Sequence, residues 1–433
     1  MDDVEVGRSG TGPLPMHGPA WQASGKRHSE GHVMDSCFTD PRHHELRMQV
    51  RDFAEREIAP QVPAMEAGRA VAHEVSRLIA RQGWIGVTVP AGYGGMGAGH
   101  VAKTLVIEEL SRVSAAMGAM AQASQLGVAK ILHFGSEEQK KHWLPAVAAG
   151  DCLPTIAVTE PDSGGHVLGM TGTAHRDGTG WLLNGRKVFV GNSQVGDLHG
   201  VVLRTGPGSD GLSAFLVEAD RPGLSTGPQV EAMGLHGFGF GELRFEDCRV
   251  PAANLLGREG DGLAVAYSSS VLYGRANLTA VSLGIHQALL EETSTFCRER
   301  RRYGAPLAEL GSIRMKLGQM QSRLMTARLT AYHAVHLLDR GARCDAELMN
   351  AKLVNTEYAL DSARDAMEIH AAAGLLTDRP VERCLRDAHH IFAPAGTSDV
   401  QRLRLGEVAL GGGLRDWSSQ LSELVCRAPE PVG

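Results

Sequence analysis

Arg386-Asp387-Ala388-His389-His390-Ile391-Phe392-Ala393-Pro394-Ala395-Gly396-Thr397-Ser398-Asp399-Val400-Gln401-Arg402 is the stretch on which the reading of this 433-residue chain turns. It follows a helix-to-turn element at 366–382. There Ala371, Ala372, Ala373 and Gly374 are small enough to let backbone amides approach a ligand.

Outward from that stretch, the chain is long enough for two or three domains with sizeable cores. It is 43% hydrophobic and 21% charged with a net charge of −6, which argues against a nucleic-acid-binding surface. The 7 cysteines are scattered, with no Cys-x-x-Cys pair, a pattern that suits free thiols in a reducing compartment rather than disulfides or a zinc site. No apolar run reaches the ~18 to 20 residues of a membrane span, and the first thirty or so residues lack a signal-peptide core. The expectation is a cytoplasmic protein with no membrane partner.

Residues 1–36 are rich in Gly, His, Ser and Pro and read as a disordered tail. From Pro41 apolar residues recur at helical spacing through Leu46, Val50, Phe53 and Ile58, and helices are expected at 101–113, 115–134 and 137–147, giving an all-α domain over 41–152. The glycine-dense run at 92–97 formally matches GxGxxG but lacks a surrounding βαβ repeat and a following acidic residue, so it reads as a plain turn. Near Thr155 the period switches to two. Short runs at 155–158, 172–176, 181–190, 200–204, 213–218 and 242–250, bounded by turn residues, predict an antiparallel β domain over 153–252. Asn184-Gly185 is read as a two-residue hairpin turn, and Leu243 and Phe245, alternating with Glu242, Arg244 and Glu246, predict one buried and one wet face. Helical patterning returns at 263–298, 313–339, 344–373 and 400–410, predicting an antiparallel helix bundle over 260–427.

An α domain, a β domain and a four-helix bundle in that order is an α+β architecture that resembles the acyl-CoA dehydrogenase family. The motifs Pro380-Val381-Glu382, Arg386-Asp387-Ala388 and Gly396-Thr397 are similar to that family's C-terminal signature, and Thr159-Glu160-Pro161 to its flavin-binding strand end. The resemblance implies FAD as cofactor and an acyl thioester as substrate, on coenzyme A or an acyl carrier protein. It places Thr159 at the pyrimidine edge of the flavin, Phe189 where a ring can stack on it, and Gly191 where only a backbone N–H is offered near the hydride-accepting nitrogen. Arg300 and Tyr303 belong to an Arg-x-x-Tyr-Gly-x-Pro-Leu run. Its arginine suits a diphosphate, and by resemblance it reaches the FAD of a neighbouring subunit, so a homodimer or homotetramer is implied. Thr397 keeps an FAD-contacting position, while Glu368 and Asp399 replace glutamines there, two carboxylates that would repel a diphosphate. Gly165, Arg275 and Gly396 fall at substrate-contacting positions.

Removing the α proton of an acyl thioester calls for a base, for which a buried carboxylate is well matched. By resemblance that glutamate belongs at residue 395 or at residue 274. Here those residues are Ala395 and Gly274, and Leu272 stands where an aspartate would bond the carrier arm. Tyr273, His236 and Asp399 border the site and are the candidate substitutes, with His166 nearby. His389 and His390 point in different directions on a helix, against joint metal ligation. Three readings stand: a flavin oxidoreductase on an acyl thioester; a flavin hydroxylase, or a non-oxidative lyase or cyclase, on the same fold; and a flavin-free binding or partner subunit.

Overall fold

In the computed structural model, which describes residues 37–412 and 417–426, the chain enters its first helix through a side-chain cap. The Asp40 carboxylate accepts from the amides of Arg42 and His43 at 2.9 and 3.1 Å, and the Asp40 amide donates to His43 Nδ1, satisfying donors that a helix start leaves open. Helix α1 (Pro41–Phe53) buries Leu46, Val50 and Phe53. It is followed by α2 (Val62–Gly68), α3 (His73–Ala80), α4 (Gly99–Val113), α5 (Ala115–Phe134) and α6 (Glu137–Ala149). The expected tail at 1–36 lies outside the described residues. The 92–97 run is a turn: Trp84–Gly86 before it is a 3-10 turn rather than a strand, and the amides of Met96 and Gly97 bond the carbonyls of Gly86 and Val89. Helix α5 is made largely of small residues, so neighbours come close. A Cβ on Gly127 would overlap the Pro154 carbonyl group, and that glycine lets the first strand lie against the helix.

The middle of the chain forms one eight-stranded sheet. Its strands are β1 (Pro154–Ala157), β2 (Thr173–Asp177), β3 (Gly180–Gly191), β4 (Leu198–Arg204), β5 (Leu212–Glu218), β6 (Leu224–Thr226), β7 (Phe240–Pro251) and β8 (Leu255–Leu256). They are ordered β6-β7-β3-β2-β4-β5-β8, with β1 beside β4. The sheet is antiparallel except where β4 meets β1 and the end of β2. Trp181, Leu183, Phe215, Leu243 and Phe245 form its own core. Glu242 departs from the simple alternation: it is buried because Arg186 and Arg244 donate to its two oxygens at 2.6 and 2.7 Å. Asn184-Gly185 is not a hairpin turn. It lies inside β3, where the register against β7 slips between Leu183 and Gly185. The Asn184 amide is drawn to Asp247, accepting from its N–H at 2.8 Å and donating to its carboxylate at 3.1 Å, and a Cβ on Gly185 would stand 2.8 Å from Gly172 Cα. The positive φ that the dipeptide tolerates serves a β-bulge here.

The C-terminal part comprises α7 (Gly262–Tyr267), α8 (Gly274–Glu299), the hairpin β9 (Arg301–Arg302) and β10 (Ala305–Pro306), then α9 (Gly311–Asp339), α10 (Asp345–His370), α11 (Pro380–His390), α12 (Ser398–Ala409) and α13 (Trp417–Cys426). The helix expected over 263–298 is interrupted by a π turn at Ser268–Tyr273. There the Ser268 hydroxyl donates back to the Ala264 carbonyl at 2.7 Å, a bond that loosens the regular ladder. Helices α8, α9 and α10 pack side by side, α11 closes on α8 and α10, and α4 lies along α8 and α9. Two buried carboxylates tie these layers: Glu108 pairs with Arg328 of α9 at 2.6 Å and Glu109 with Arg51 of α1 at 2.9 Å. The helical, β, helical order read from the periodicity is the observed architecture.

Candidate active site

Where the three parts meet there is a cavity of about 160 Å³. Its floor is α5 (Ala119, Gln122, Ala123, Leu126). Its walls are the end of β1 with Thr159, the β3 segment 188–191, Leu235, Phe238 and Phe240 ahead of and at the start of β7, Leu278 of α8, and His390, Ile391 and Pro394 at the end of α11.

Thr159 is presented by a buried ion pair. Lys187 Nζ lies 2.8 Å from Glu160 Oε1 and 3.1 Å from the Val158 carbonyl, with both side chains almost fully buried. The Glu160 carboxylate also accepts from the amides of Thr171 and Gly172 at 2.6 and 3.0 Å. Burial pushes that carboxyl up, but Lys187 and the two amides outweigh it and hold it below the ordinary value. The Thr-Glu-Pro motif is thus a scaffold for its first residue: Thr159 takes Val188 N–H on its carbonyl at 2.9 Å, and its hydroxyl has no hydrogen bond among the described residues. Beyond Lys187 the register of β3 shifts again, and Phe189 adopts φ 56, a left-handed backbone that is uncommon for a bulky residue. This turns its ring, 59% exposed, to stack at 5.7 Å on Phe240, which in turn stacks at 6.1 Å on Phe238. Gly191 lies under Phe238. A Cβ there would meet Phe238 Cζ at 2.9 Å and Ala123 Cβ at 3.1 Å, so the phenylalanine ring occupies the room that a side chain at 191 would need.

The Arg-Asp-Ala run on α11 clamps the loop opposite. Arg386 donates to the Met233 carbonyl at 3.1 Å, the Asp387 carboxylate accepts from Leu235 N–H at 2.6 Å, and His390 Nδ1 lies 3.1 Å from the Gly234 carbonyl. Burial pushes the Asp387 carboxyl up to about 6. Three residues on one helical face therefore hold three consecutive residues of the loop that carries Phe238.

Thr159, Phe189 and Gly191 are thus brought together, and the other expected residues lie elsewhere. Gly165 is on an exposed loop. Arg300 caps the end of α8 and Tyr303 is in the turn of the β9–β10 hairpin that follows, 94% exposed with φ 52. Thr397 is the exposed N-cap residue of α12. The Gly396 carbonyl, in the turn after Ala395 (φ 55), accepts from Lys352 Nζ at 2.7 Å, and burial lowers that amine to about 8. Arg275 is buried with no hydrogen bond or ion pair among the described residues, and burial lowers its guanidinium to about 10. Asp399 and Glu368 are not bare carboxylates: Arg402 lies 3.1 Å from the first and Lys316 2.6 Å from the second.

Of the substitute bases, Asp399 points outward with its side chain 93% exposed. His236 is held in a network away from the cavity, 3.0 Å from Glu66 and bonded to the Ala232 carbonyl. Tyr273 is sealed in a separate cluster, its hydroxyl 2.7 Å from His133 Nε2 and its ring under Lys103 Nζ at 4.3 Å; burial raises its phenol and lowers the Lys103 amine to about 7. Exposed His166 does not line the cavity. Two polar cavity residues were not expected there: Gln122, and His390, which the sequence reading weighed only as a metal ligand. For His390 a signal exists: Cys384, Asp387, Ala388 and Ile391 are buried at helical spacing, and residue 390 lies on the edge of that stripe.

A helical part, a largely antiparallel sheet and a helix bundle meeting at an aromatic cavity define a three-part architecture. The N-terminal, middle and C-terminal domains of acyl-CoA dehydrogenase match residues 40–151, 155–248 and 260–410. An acyl-CoA dehydrogenase of Bacillus subtilis is 39% identical over 370 residues, covering 85% of this chain and 97% of that protein. Among solved structures, the prolyl acyl carrier protein oxidase AnaB superposes with a TM-score of 0.80 at 28% identity, over 86% of this chain and 99% of that one. The FAD complex of PigA does so with a TM-score of 0.81 at 27% identity, over 86% and 98%. This chain belongs to the acyl-CoA dehydrogenase family and is an enzyme of that family. Among the described residues no helix is long and apolar enough to cross a membrane.

Proposed function

We propose that the chain is an FAD-dependent oxidoreductase acting on an acyl group held as a thioester, on coenzyme A or on a carrier protein. The observation that carries this reading is the cavity: a stacked wall of Phe189, Phe240 and Phe238 faces two polar groups without a protein partner, the Thr159 hydroxyl and the buried Gln122 Oε1. Buried polar atoms are rarely left unpaired, and a flat apolar wall with a few placed polar groups suits an isoalloxazine ring and a thioester. Thr159 would hold the pyrimidine edge and Gly191 would offer its N–H; when bound, FAD supplies the hydride acceptor. Within one chain the exposed Arg300 and Tyr303 do not reach this cavity, which fits a role toward the cofactor of a second copy in a homodimer or homotetramer. Lys316 beside Glu368 and Arg402 beside Asp399 partly offset the repulsion of a diphosphate that the sequence alone implied. Gly165, Arg275 and Gly396 are assigned to the substrate, Arg275 because an unpaired buried guanidinium calls for an anion or a carbonyl oxygen. The absorbance spectrum of the purified protein tests the cofactor, and bleaching of the 450 nm region under anaerobic acyl thioester tests the reaction; a colourless protein that FAD does not reconstitute would point to a flavin-free partner subunit.

Ala395 and Gly274 favour a second reading, a hydroxylase or a non-oxidative lyase or cyclase, because neither position offers the expected carboxylate. Oxygen consumption that depends on an added flavin reductase separates the hydroxylase from the other reactions.

A further inference from the structure

With Ala395 and Gly274 at the two expected positions, another group must take the α proton of the thioester. The cavity names it. Of the side chains lining it among the described residues, one is ionisable, and that is His390.

Its geometry suits a base in three ways. The Gly234 carbonyl, 3.1 Å from Nδ1, can only accept a hydrogen bond, so Nδ1 carries the ring proton and Nε2 keeps its lone pair. The ring is held in place by that bond and by the Phe240 ring, edge-on at 5.4 Å and 66°, and a proton-abstracting group needs a fixed direction. Burial, aided by His236, keeps the imidazole below its ordinary value of 6.5 against the opposing Gly234 bond, so it is neutral and able to accept a proton at pH 7. The charged or titratable groups facing it are few. His236 comes from the 233–239 loop, Arg69 and Glu231 from the adjoining cavity, and Arg386, Asp387 and His389 from its own helix; α5, β3 and α8 bring none to the cavity.

We propose that His390 Nε2 is the base that removes the α proton, an assignment that rests on the thioester reading above. The α C–H bond breaks and an N–H bond forms at Nε2. The electron pair passes into the thioester carbonyl as an enolate, and the imidazolium returns its proton to solvent or to the same carbon.

The proton step can be read without redox turnover, by following exchange of the α hydrogens of butyryl-CoA and 3-phenylpropionyl-CoA in D2O by NMR. The wild type is expected to exchange at least one probe, at a rate that falls as the pH is lowered through a His390 pKa below 6.5. His390→Gln is expected to lose about 100-fold or more while keeping the wild-type circular dichroism and flavin content. Added imidazole is expected to restore exchange to His390→Ala, which a purely structural role would not permit. Nitrogen-15 spectra of the imidazoles should place the His390 proton on Nδ1. Exchange by His390→Gln within a few fold of the wild type, or a ring proton on Nε2, overturns the assignment. Absence of exchange by the wild type with both probes instead removes the thioester reading, and the assignment with it.

Discussion

Replacing Lys187 by methionine isolates the ion pair that presents Thr159 to the cavity. Methionine nearly matches the lysine stem in volume, so the change removes a charge and its bonds to Glu160 Oε1 and the Val158 carbonyl while leaving little void. Glu160, 4% exposed, is then a buried carboxylate with only the Thr171 and Gly172 donors. Breaking a buried pair in this way costs about 3 to 5 kcal/mol. With a urea slope near ~2 kcal/mol/M, the unfolding midpoint drops by about 1.5 to 2.5 M. A companion variant and the pH dependence separate charge from packing. Lys187→Met with Glu160→Gln keeps an oxygen for the two amides but carries no charge, so it should recover most of the loss. The pH dependence has a definite sign. In the wild type the folded Glu160 lies below its ordinary 4.5, so its contribution is complete above the unfolded carboxyl value of about 4.3 and is lost as pH falls through the folded value. In Lys187→Met burial acts without the lysine and raises that carboxyl, so the deficit relative to wild type should shrink as the pH is lowered below neutrality. Urea unfolding followed by tryptophan fluorescence, in which buried Trp181 of β3 reports on the same sheet, measures all of this. A Lys187→Met midpoint within about 0.5 M of wild type, equivalent to ~1 kcal/mol at that slope, or a double variant no better than the single, would refute the reasoning.

Gly191→Ser should lower flavin occupancy and stability by about 1 to 3 kcal/mol, because its Cβ meets Phe238 at 2.9 Å; combining it with Phe238→Ser should restore the absorbance ratio of flavin to protein, and no recovery would show that the two sites are not coupled. Arg275→Met should raise the melting temperature, by removing a buried guanidinium that has no partner among the described residues at a gain of about 1 to 4 kcal/mol, while weakening thioester binding measured by calorimetry; a destabilised variant would mean that the arginine is paired in solution. Ala395→Glu alone should bleach no faster under anaerobic acyl thioester than the wild type. Residue 395 is not among the residues lining the cavity, and it lies in a turn whose Gly396 carbonyl is tied to Lys352 at 2.7 Å. Bleaching by that single variant well above the wild-type rate would show that residue 395 reaches the substrate and that the pocket is otherwise intact.

Much of the architecture was legible along the chain. The change from helical to twofold periodicity near Thr155 and back after Pro251 marks where the backbone changes partner, because a half-buried helix and a half-buried strand each print their own spacing. Thr159 was legible in another way, through the resemblance of Thr159-Glu160-Pro161 to the family's flavin-binding strand end. Asn184-Gly185 was misread because the dipeptide specifies only a tolerance for positive φ; whether that makes a turn or a bulge depends on β7, whose Asp247 lies 63 residues further on. The break at Ser268–Tyr273 was likewise invisible to a periodicity that continues on both sides of it.

Residue order alone therefore determined the succession of α, β and α parts, the family, and the presence of Ala395 and Gly274 where the resemblance leads one to expect a carboxylate, since each is a property of local pattern or of identity at a position. Tertiary structure decided which side chains share the cavity. His236 and Tyr273 are held elsewhere by partners 170 and 140 residues away, Asp399 points outward beside Arg402 of its own helix, and His390 enters the wall with its proton on Nδ1 because a carbonyl 156 residues away accepts from it. The direction of a hydrogen bond across that distance is set by packing of α11 on the 233–239 loop, and no local pattern encodes it.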